Sequence, residues 1–491
     1  MRSRSLPLGL LVLAAAVFLL HCLTNGRYGF HRDELATLDD AKHLAWGYVA
    51  YPPVTPFLAR IDLALFGASL TGVRVLVALS QALVALLTGL MAFELGGSRR
   101  AQIIAGLAVA VSAVSFNAGH LFQYVSFDYV WSVLLFYFVV RLLNSHDPRW
   151  WLAIGVAAGL GLMTRYTIVW PIAGLEAGFL VTPARPLLKS RWLAAGVFVA
   201  LLIVLPNLIW QASHNFISLD FLRSIHARDV SIGRTDGFWL RQLIVPAHPF
   251  TIPLWIAGLY FCFRTPEGRP YRLLGGSFAV ALILFGVARA RDYYTAPLYP
   301  MLLAAGAVMS DRWRSWALSL NWAGLAIALA MGIALALPVA PVGSRWFQAA
   351  IQANGNLREE IGWPEFVETV AAIRDSLPRD ERATTGILTG NYGEAGAINL
   401  YGSKYGLPLA LSRTNSFWLR GYGDAPPKTL IVTGVSPEFV AENFAACESK
   451  GTISNRFGVG NEETEQHKYL WVCRGLRESW PDFWQRIRGW S

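Results

Sequence analysis

The chain has 491 residues, of which 54% are hydrophobic and only 15% charged, with a mean hydropathy of +0.40. No soluble fold hides so much apolar sequence, so the composition specifies an α-helical polytopic membrane protein and excludes a soluble enzyme. The net charge of +10 is uneven, about +11 over residues 1–339 and −1 over residues 340–491, and the positive-inside rule accounts for it without a nucleic-acid partner.

The chain opens with MRSRSLPLGLLVLAAAVFLLHC, a basic start and apolar core like those of a signal peptide. It reads as a retained first span, because further spans follow and no small-x-small site precedes Asn25 cleanly. Apolar runs at 6–24, 72–94, 102–118, 127–143, 150–164, 167–182, 192–211, 249–263, 272–288, 294–309 and 315–338 predict about eleven transmembrane helices. Arg2, Arg4, Arg99, Arg100, Arg141, Arg149, Arg185, Arg191, Arg264, Arg272, Arg312 and Arg314 fall in links on one side, which is then cytoplasmic. The opposite links, and everything after Pro338, are then outside the cytoplasm.

The first outer link, within residues 25–60, is unusually rich for a connector. Its sequence YGFHRDELATLDDAKHLAWGYVAYPPVTPFLAR holds Asp33, Glu34, Asp39 and Asp40 among basic and aromatic residues. Asp39-Asp40 before AKHLAW has the look of a helix start. Asp33-Glu34 sits among apolar residues at the membrane edge, where an acidic pair points to chemistry. Asp128, in FQYVSFDYVWSVL, and Asp292, in ARARDYYTAPLYP, lie at outer helix ends. Arg165 interrupts GLGLMTRYTIVWP on the same side.

The outer face also carries Arg223, Arg228, Arg234, Arg241, Arg289 and Arg291. A planar guanidinium fork matches phosphate, so these arginines either bind an anion or pair with outer acids and lipid head groups. His31 and His120 lack metal-binding spacing. No metal site is assigned and no cofactor is implied, although a divalent ion would have a His/Asp group to meet on that face.

Residues 340–491 stop spanning and read as a small extracytoplasmic α/β domain, distinct from a transmembrane unit over 1–339. WPEFVETVAAIRDSL is an amphipathic helix, ATTGILTG a strand, and a helix begins near Tyr392. KTLIVTG is a second strand, SPEFVAENFAA a capped helix and HKYLWVCRG a final strand. Cys447 and Cys473 both lie in this unit and are expected to pair in an oxidising compartment, whereas Cys22 and Cys262 lie near opposite membrane faces.

Outward carboxylates with outward arginines suggest an enzyme acting on a lipid phosphate. A carboxylate would take a proton from an acceptor hydroxyl, and arginines would stabilise a departing phosphate.

The stretch YGFHRDELATLDDAKHLAWGYVAYPP resembles the first-loop motif of bacterial glycosyltransferases with the GT-C membrane fold, in the protein O-mannosyltransferase and aminoarabinose transferase superfamily. The resemblance continues in SFDYVWSVLLFYF, GLMTRYTIVWP, LPNLIWQASHNFISLDFL, ARDYYTAPLYPMLLAAGA and NYGEAGAINLYGSKYGLP. It implies an inverting membrane transferase. The donor is a polyprenyl-phosphate-linked sugar, and the acceptor is a hydroxyl of a lipid, glycan or protein among the membrane lipids. The reaction takes place at the outer face of the cytoplasmic membrane. On that resemblance Asp33 is the catalytic base, Glu34 its neighbour, and Asp128 the acidic position at the start of the fourth span. Arg165 takes a basic position facing the donor phosphate, where relatives often have Lys. Arg291 stands where Lys is expected in KDYY, and Arg289, Tyr293 and Tyr294 complete the donor-phosphate set. His31 stands where relatives often have an aromatic residue.

A secondary transporter for an anionic metabolite competes for the same composition. Transporters favour paired halves and broken helices near the midplane, whereas here the polar residues gather at one face. A structural envelope subunit would leave Asp33-Glu34 unexplained.

Overall fold

The computed structural model of the protein describes residues 7–490; Arg2 and Arg4 lie outside them. Each of the eleven apolar runs holds a helix. By length and hydropathy, five of these helices suffice to cross a membrane: Leu70–Glu94, Tyr124–Ser145, Arg191–Ser213, Arg269–Val287 and Ser315–Ala336. A sixth span arises if Arg99–Ala110 and Ala113–His120, bent by 71° at their junction, count as one. The remaining runs form helices of 12–17 residues, among them Leu8–Thr24, Trp150–Leu162 and Tyr299–Ser310.

The first outer link is folded, and its helix starts earlier than the Asp39-Asp40 pair suggested. The helix spans Arg32–Lys42 and begins with a capping box on His31. The His31 Nδ1 accepts from the Asp33 amide at 3.2 Å, and Glu34 Oε2 accepts from the His31 amide at 2.8 Å. Asp39 and Asp40 therefore sit in the last turn, at the negative pole of the helix, where acids are disfavoured. Partners from elsewhere offset this. Arg420 donates to Asp40 Oδ1 at 2.8 Å and to Asp39 Oδ2 at 2.5 Å. Asn399 donates to Asp39 and the Tyr51 hydroxyl to Asp40, both at 2.7 Å.

After Ser315–Ala336 the chain builds a five-stranded sheet from β1 (Thr385–Thr389), β2 (Leu411–Ser412), β3 (Thr429–Thr433), β4 (Phe444–Thr452) and β5 (Tyr469–Leu476). The order is β2-β1-β3-β5-β4, with β1 parallel to β2 and β3, and β5 antiparallel to β3 and β4. β1 and β3 are buried along their whole length, which is why their short apolar runs were recognisable. The helix expected over SPEFVAENFAA stops at Asn443, and β4 takes the rest. β4 is an edge strand with mostly exposed side chains, so it has little apolar pattern to read. Cys447 lies opposite Cys473 in the β4–β5 register, and the two form a disulfide with Cα atoms 4.1 Å apart. Cys22 and Cys262 are free.

This unit shares a core with the first link. Leu35, Leu38, Val73, Val77 and Phe122 pack in one cluster with Trp363, Phe366, Val370, Ile398 and Ile431. The helix Tyr392–Tyr401 lies directly on Arg32–Lys42. Two glycines permit the approach. A Cβ on Gly396 would stand 2.6 Å from the Leu35 carbonyl, and one on Gly393 would stand 2.8 Å from Arg32 Cβ. Gly396→Ala is therefore expected to force the helices apart and to destabilise the fold by about 1–3 kcal/mol, as overpacking typically does. A thermal unfolding series in detergent, with proteolysis of the released tail, checks this.

Beneath the same contact lie two buried acids. Glu394 Oε1 accepts from the Thr433 hydroxyl at 3.2 Å, and its Oε2 has no hydrogen-bond partner. Glu463 has none on either oxygen and meets Arg32 at 3.9 Å. Burial first, and then the Glu463 charge, raises Glu394 to about 8; burial raises Glu463 to about 7. The unfolded chain titrates them near 4.5. The protonated forms thus add stability that is complete below pH 4.5 and is lost as pH rises toward 8. The unfolding temperature should fall between pH 5 and pH 9, and Glu394→Gln should flatten that slope.

Candidate active site

Asp33 is at the first turn of Arg32–Lys42, with its side chain 40% exposed. Its Oδ1 accepts from the Tyr392 hydroxyl at 2.7 Å and its Oδ2 from Gln123 Nε2 at 2.9 Å. Each oxygen keeps a lone pair, so the carboxylate is held and still open.

Glu34, expected beside it as a partner in chemistry, points the other way and is fully buried. Its Oε1 accepts from Arg74 Nε and from the Phe122 amide, both at 2.8 Å, and its Oε2 accepts from Arg74 at 2.5 Å and from His31. All its acceptor positions are used. Burial alone would raise its pKa, but the Arg74 guanidinium outweighs that and holds it below the usual carboxylate range. Glu34 is a fixed structural anion.

Next to Asp33 in space, Gln123 leads into Tyr124, whose ring is within electrostatic reach of Asp33, Arg165 and Arg291. Arg165 is buried and stacks over Tyr294 at 4.0 Å, Tyr124 at 5.0 Å and Tyr293 at 5.7 Å. Its ion-pair partner is Asp128, at 3.5 Å. Asp128 is itself buried, with Oδ1 unpartnered. Arg291 makes a bidentate pair with Asp229, at 2.6 and 2.8 Å, and reaches the Tyr293 hydroxyl at 3.5 Å. Arg165, Arg291, Tyr293 and Tyr294 thus converge as expected from the sequence.

Arg289 does not join them. It takes a positive φ of 49° and points to exposed Asp236 at 3.7 Å. It lines a separate cavity of about 410 Å³ with Phe238, Trp239 and Leu240. Asp292 pairs with Arg241 at 2.6 Å and with neither Arg289 nor Arg291, its neighbours in sequence.

One arginine stands apart from this pairing. Arg228, on the helix Ile217–Ser231, is half-buried, and its Nε has no hydrogen-bond partner. Burial, then Arg234 and Arg291, lower it below the ordinary guanidinium range, and Tyr392 is also near. In sequence Arg228 was one of many outer arginines, and only the pairing of the others sets it apart. Tyr392 was equally unmarked as a neighbour of Asp33.

Among the described residues, no group of three or more His, Cys, Asp and Glu side chains is arranged to hold a metal. His120 is occupied in a buried network, bonded to Glu360 at 2.8 Å and Asn25 at 3.0 Å.

Comparison with known proteins gives this geometry a setting. The family described as dolichyl-phosphate-mannose-protein mannosyltransferase matches residues 50–210, which include Asp128 and Arg165 and begin after Asp33. The lipid A galacturonosyltransferase RgtD of Rhizobium johnstonii is 26% identical over 367 residues, 70% of this chain and 74% of that protein. An undecaprenyl phosphate-alpha-4-amino-4-deoxy-L-arabinose arabinosyl transferase of Pseudomonas fluorescens is 29% identical over 54% of this chain, and the match spans only about half, 50%, of that relative. Among solved structures, ArnT from Cupriavidus metallidurans in the apo state superposes with a TM-score of 0.62 at 16% identity, covering 95% of this chain and 98% of ArnT. The same protein bound to undecaprenyl phosphate gives 0.60, over 94% and 97%. In fold along nearly its whole length, and in sequence along most of it, this chain is similar to glycosyltransferases of the PMT/ArnT-like type, and the superposition on ArnT shows a GT-C fold.

Proposed function

We propose that the protein is an inverting glycosyltransferase that moves a sugar from a polyprenyl-phosphate donor to a hydroxyl acceptor at the outer face of the cytoplasmic membrane. The observation that carries this reading is an open carboxylate, Asp33, bonded to Gln123 beside Tyr124, over whose ring Arg165 lies at 5.0 Å, with Arg291 reaching Tyr293, the ring that Arg165 also covers. Two relatives whose names specify an undecaprenyl-phosphate sugar donor or a lipid A acceptor support a lipid-linked donor and, among lipid, glycan and protein, a lipid acceptor.

In this mechanism Asp33 accepts the proton of the acceptor hydroxyl as its oxygen attacks the sugar C1. The bond from C1 to the donor phosphate breaks on the opposite face, so the configuration inverts. Arg165, Arg291 and Arg228 stabilise the departing phosphate, with the hydroxyls of Tyr293 and Tyr294 beside them. Asp128 keeps Arg165 charged and placed. Glu34 holds the helix that presents Asp33 and takes no part in proton transfer.

Asp33→Asn keeps the size and removes the base. Transfer of sugar from an undecaprenyl-phosphate donor should fall at least about 100-fold with donor binding nearly intact. Wild-type turnover in correctly inserted Asp33→Asn protein overturns the assignment.

The arginines separate by their partners. Arg228→Ala removes a cation with a free donor, so donor affinity should fall about 10-fold or more while the unfolding temperature holds. Arg291→Ala takes the bidentate partner from the buried Asp229, leaving it Arg234 at 3.6 Å, and should lower both. Parallel donor titration and thermal unfolding of the two variants distinguish these outcomes.

A further inference from the structure

The segment NYGEAGAI lies more than 350 residues from Asp33 in sequence, yet it supplies one of the two hydrogen bonds that hold the Asp33 carboxylate. We propose that Tyr392 is a positioning residue for transfer. Its hydroxyl orients the Asp33 carboxylate toward the acceptor, so the C-terminal sheet unit completes the reactive site. This rests on Asp33 acting as the base.

The geometry favours orientation over simple packing. Tyr392 holds Oδ1 at 2.7 Å and Gln123 holds Oδ2 at 2.9 Å, from two different parts of the chain. With both oxygens held, rotation about the terminal side-chain bond, otherwise soft, is restricted. The remaining lone pairs then keep a constant direction. A phenol is a suitable donor here because burial, followed by the Asp33 charge, keeps it protonated well above its ordinary range.

Tyr392 is itself tightly placed. It follows β1 at its carboxyl end, where Gly390 donates to the Thr433 carbonyl at 2.8 Å at the end of parallel β3. A Cβ on Gly390 would stand 1.7 Å from the Gly434 carbonyl oxygen. Only a bare backbone fits there. Asn391 caps the helix, accepting from the Glu394 amide at 3.0 Å. The Arg32 guanidinium lies over the Tyr392 ring at 5.1 Å and is itself paired with Glu462. The carboxyl ends of parallel strands are where α/β sheets commonly present their working groups. In this fold that edge faces Asp33.

Tyr392→Phe keeps the ring and removes the hydroxyl. With an undecaprenyl-phosphate sugar donor, kcat should fall about 10-fold, the lower end for a hydrogen bond to a charged group. The donor KM and the unfolding temperature should hold. In the double variant with Asp33→Asn, Tyr392→Phe should add no further loss.

Wild-type kcat in Tyr392→Phe overturns the inference. So does a full multiplicative loss in the double variant. Both results leave the base assignment standing, provided Asp33→Asn alone is impaired. Wild-type turnover in Asp33→Asn overturns the base assignment itself, and the inference with it.

Discussion

The structure around the site depends on one buried guanidinium. Arg74 heads the span Leu70–Glu94 and is wholly shielded from solvent. It donates to both oxygens of Glu34, to the carbonyls of Asn25 and Gly29, and at 3.5 Å to Glu360. The first link, a membrane helix and the C-terminal unit therefore meet on one side chain. A buried ion of this kind is tolerated only when almost every donor has an acceptor, and Arg74 comes close to that condition. The apolar cluster of Leu35, Val77, Phe366 and Ile398 surrounds the ion pair and keeps water away from it. Specificity of docking is a reasonable use for such a pair, since an apolar contact alone would slide.

Packing at this junction explains why Asp33 is presented as it is. Arg32–Lys42 is a short helix with few apolar residues, and short helices of this kind have little stability alone. It is held by Glu34 at one end, by Arg420 on Asp39 and Asp40 at the other, and by the glycine face of Tyr392–Tyr401 along its side. The carboxylate that remains open is the one not needed for that attachment.

Much of this was legible in the sequence, and the limits have physical causes. The apolar runs gave the helices because burial in lipid or protein demands long apolar stretches, but short runs did not give a span count. Asp33, Arg165, Arg291, Tyr293 and Tyr294 were recognisable from local motifs that the fold then brings together. Glu34 was misread because successive residues on a helix point about 100° apart, and adjacency in sequence says nothing about which one faces the core. Arg289 and Arg291 differ by two positions in a bend, and only the location of Asp229 and Asp236 separates their surroundings. The outer arginines could be phosphate ligands or ion-pair partners. Arg223 and Arg289 each have an acid in exposed pairs that contribute little to stability, whereas Arg234 and Arg241 meet the buried Asp229 and Asp292. Tyr392 gave no signal as a neighbour of Asp33 because that contact joins positions 359 apart, and Arg228 was one outer arginine among several until the pairing of the others set it apart.

The strand order has a consequence for how the protein is made. β5, formed by Tyr469–Leu476, is inserted between β3 and β4, so the last strand to leave the ribosome occupies an interior place in the sheet. Until β5 is in place, β3 has an unpaired edge, and Cys447 has no partner. Arg32–Lys42 is made hundreds of residues before Tyr392–Tyr401, so the face that packs on that helix waits uncovered in between. Loss of β5 would thus open the sheet in its middle and remove the disulfide in one step.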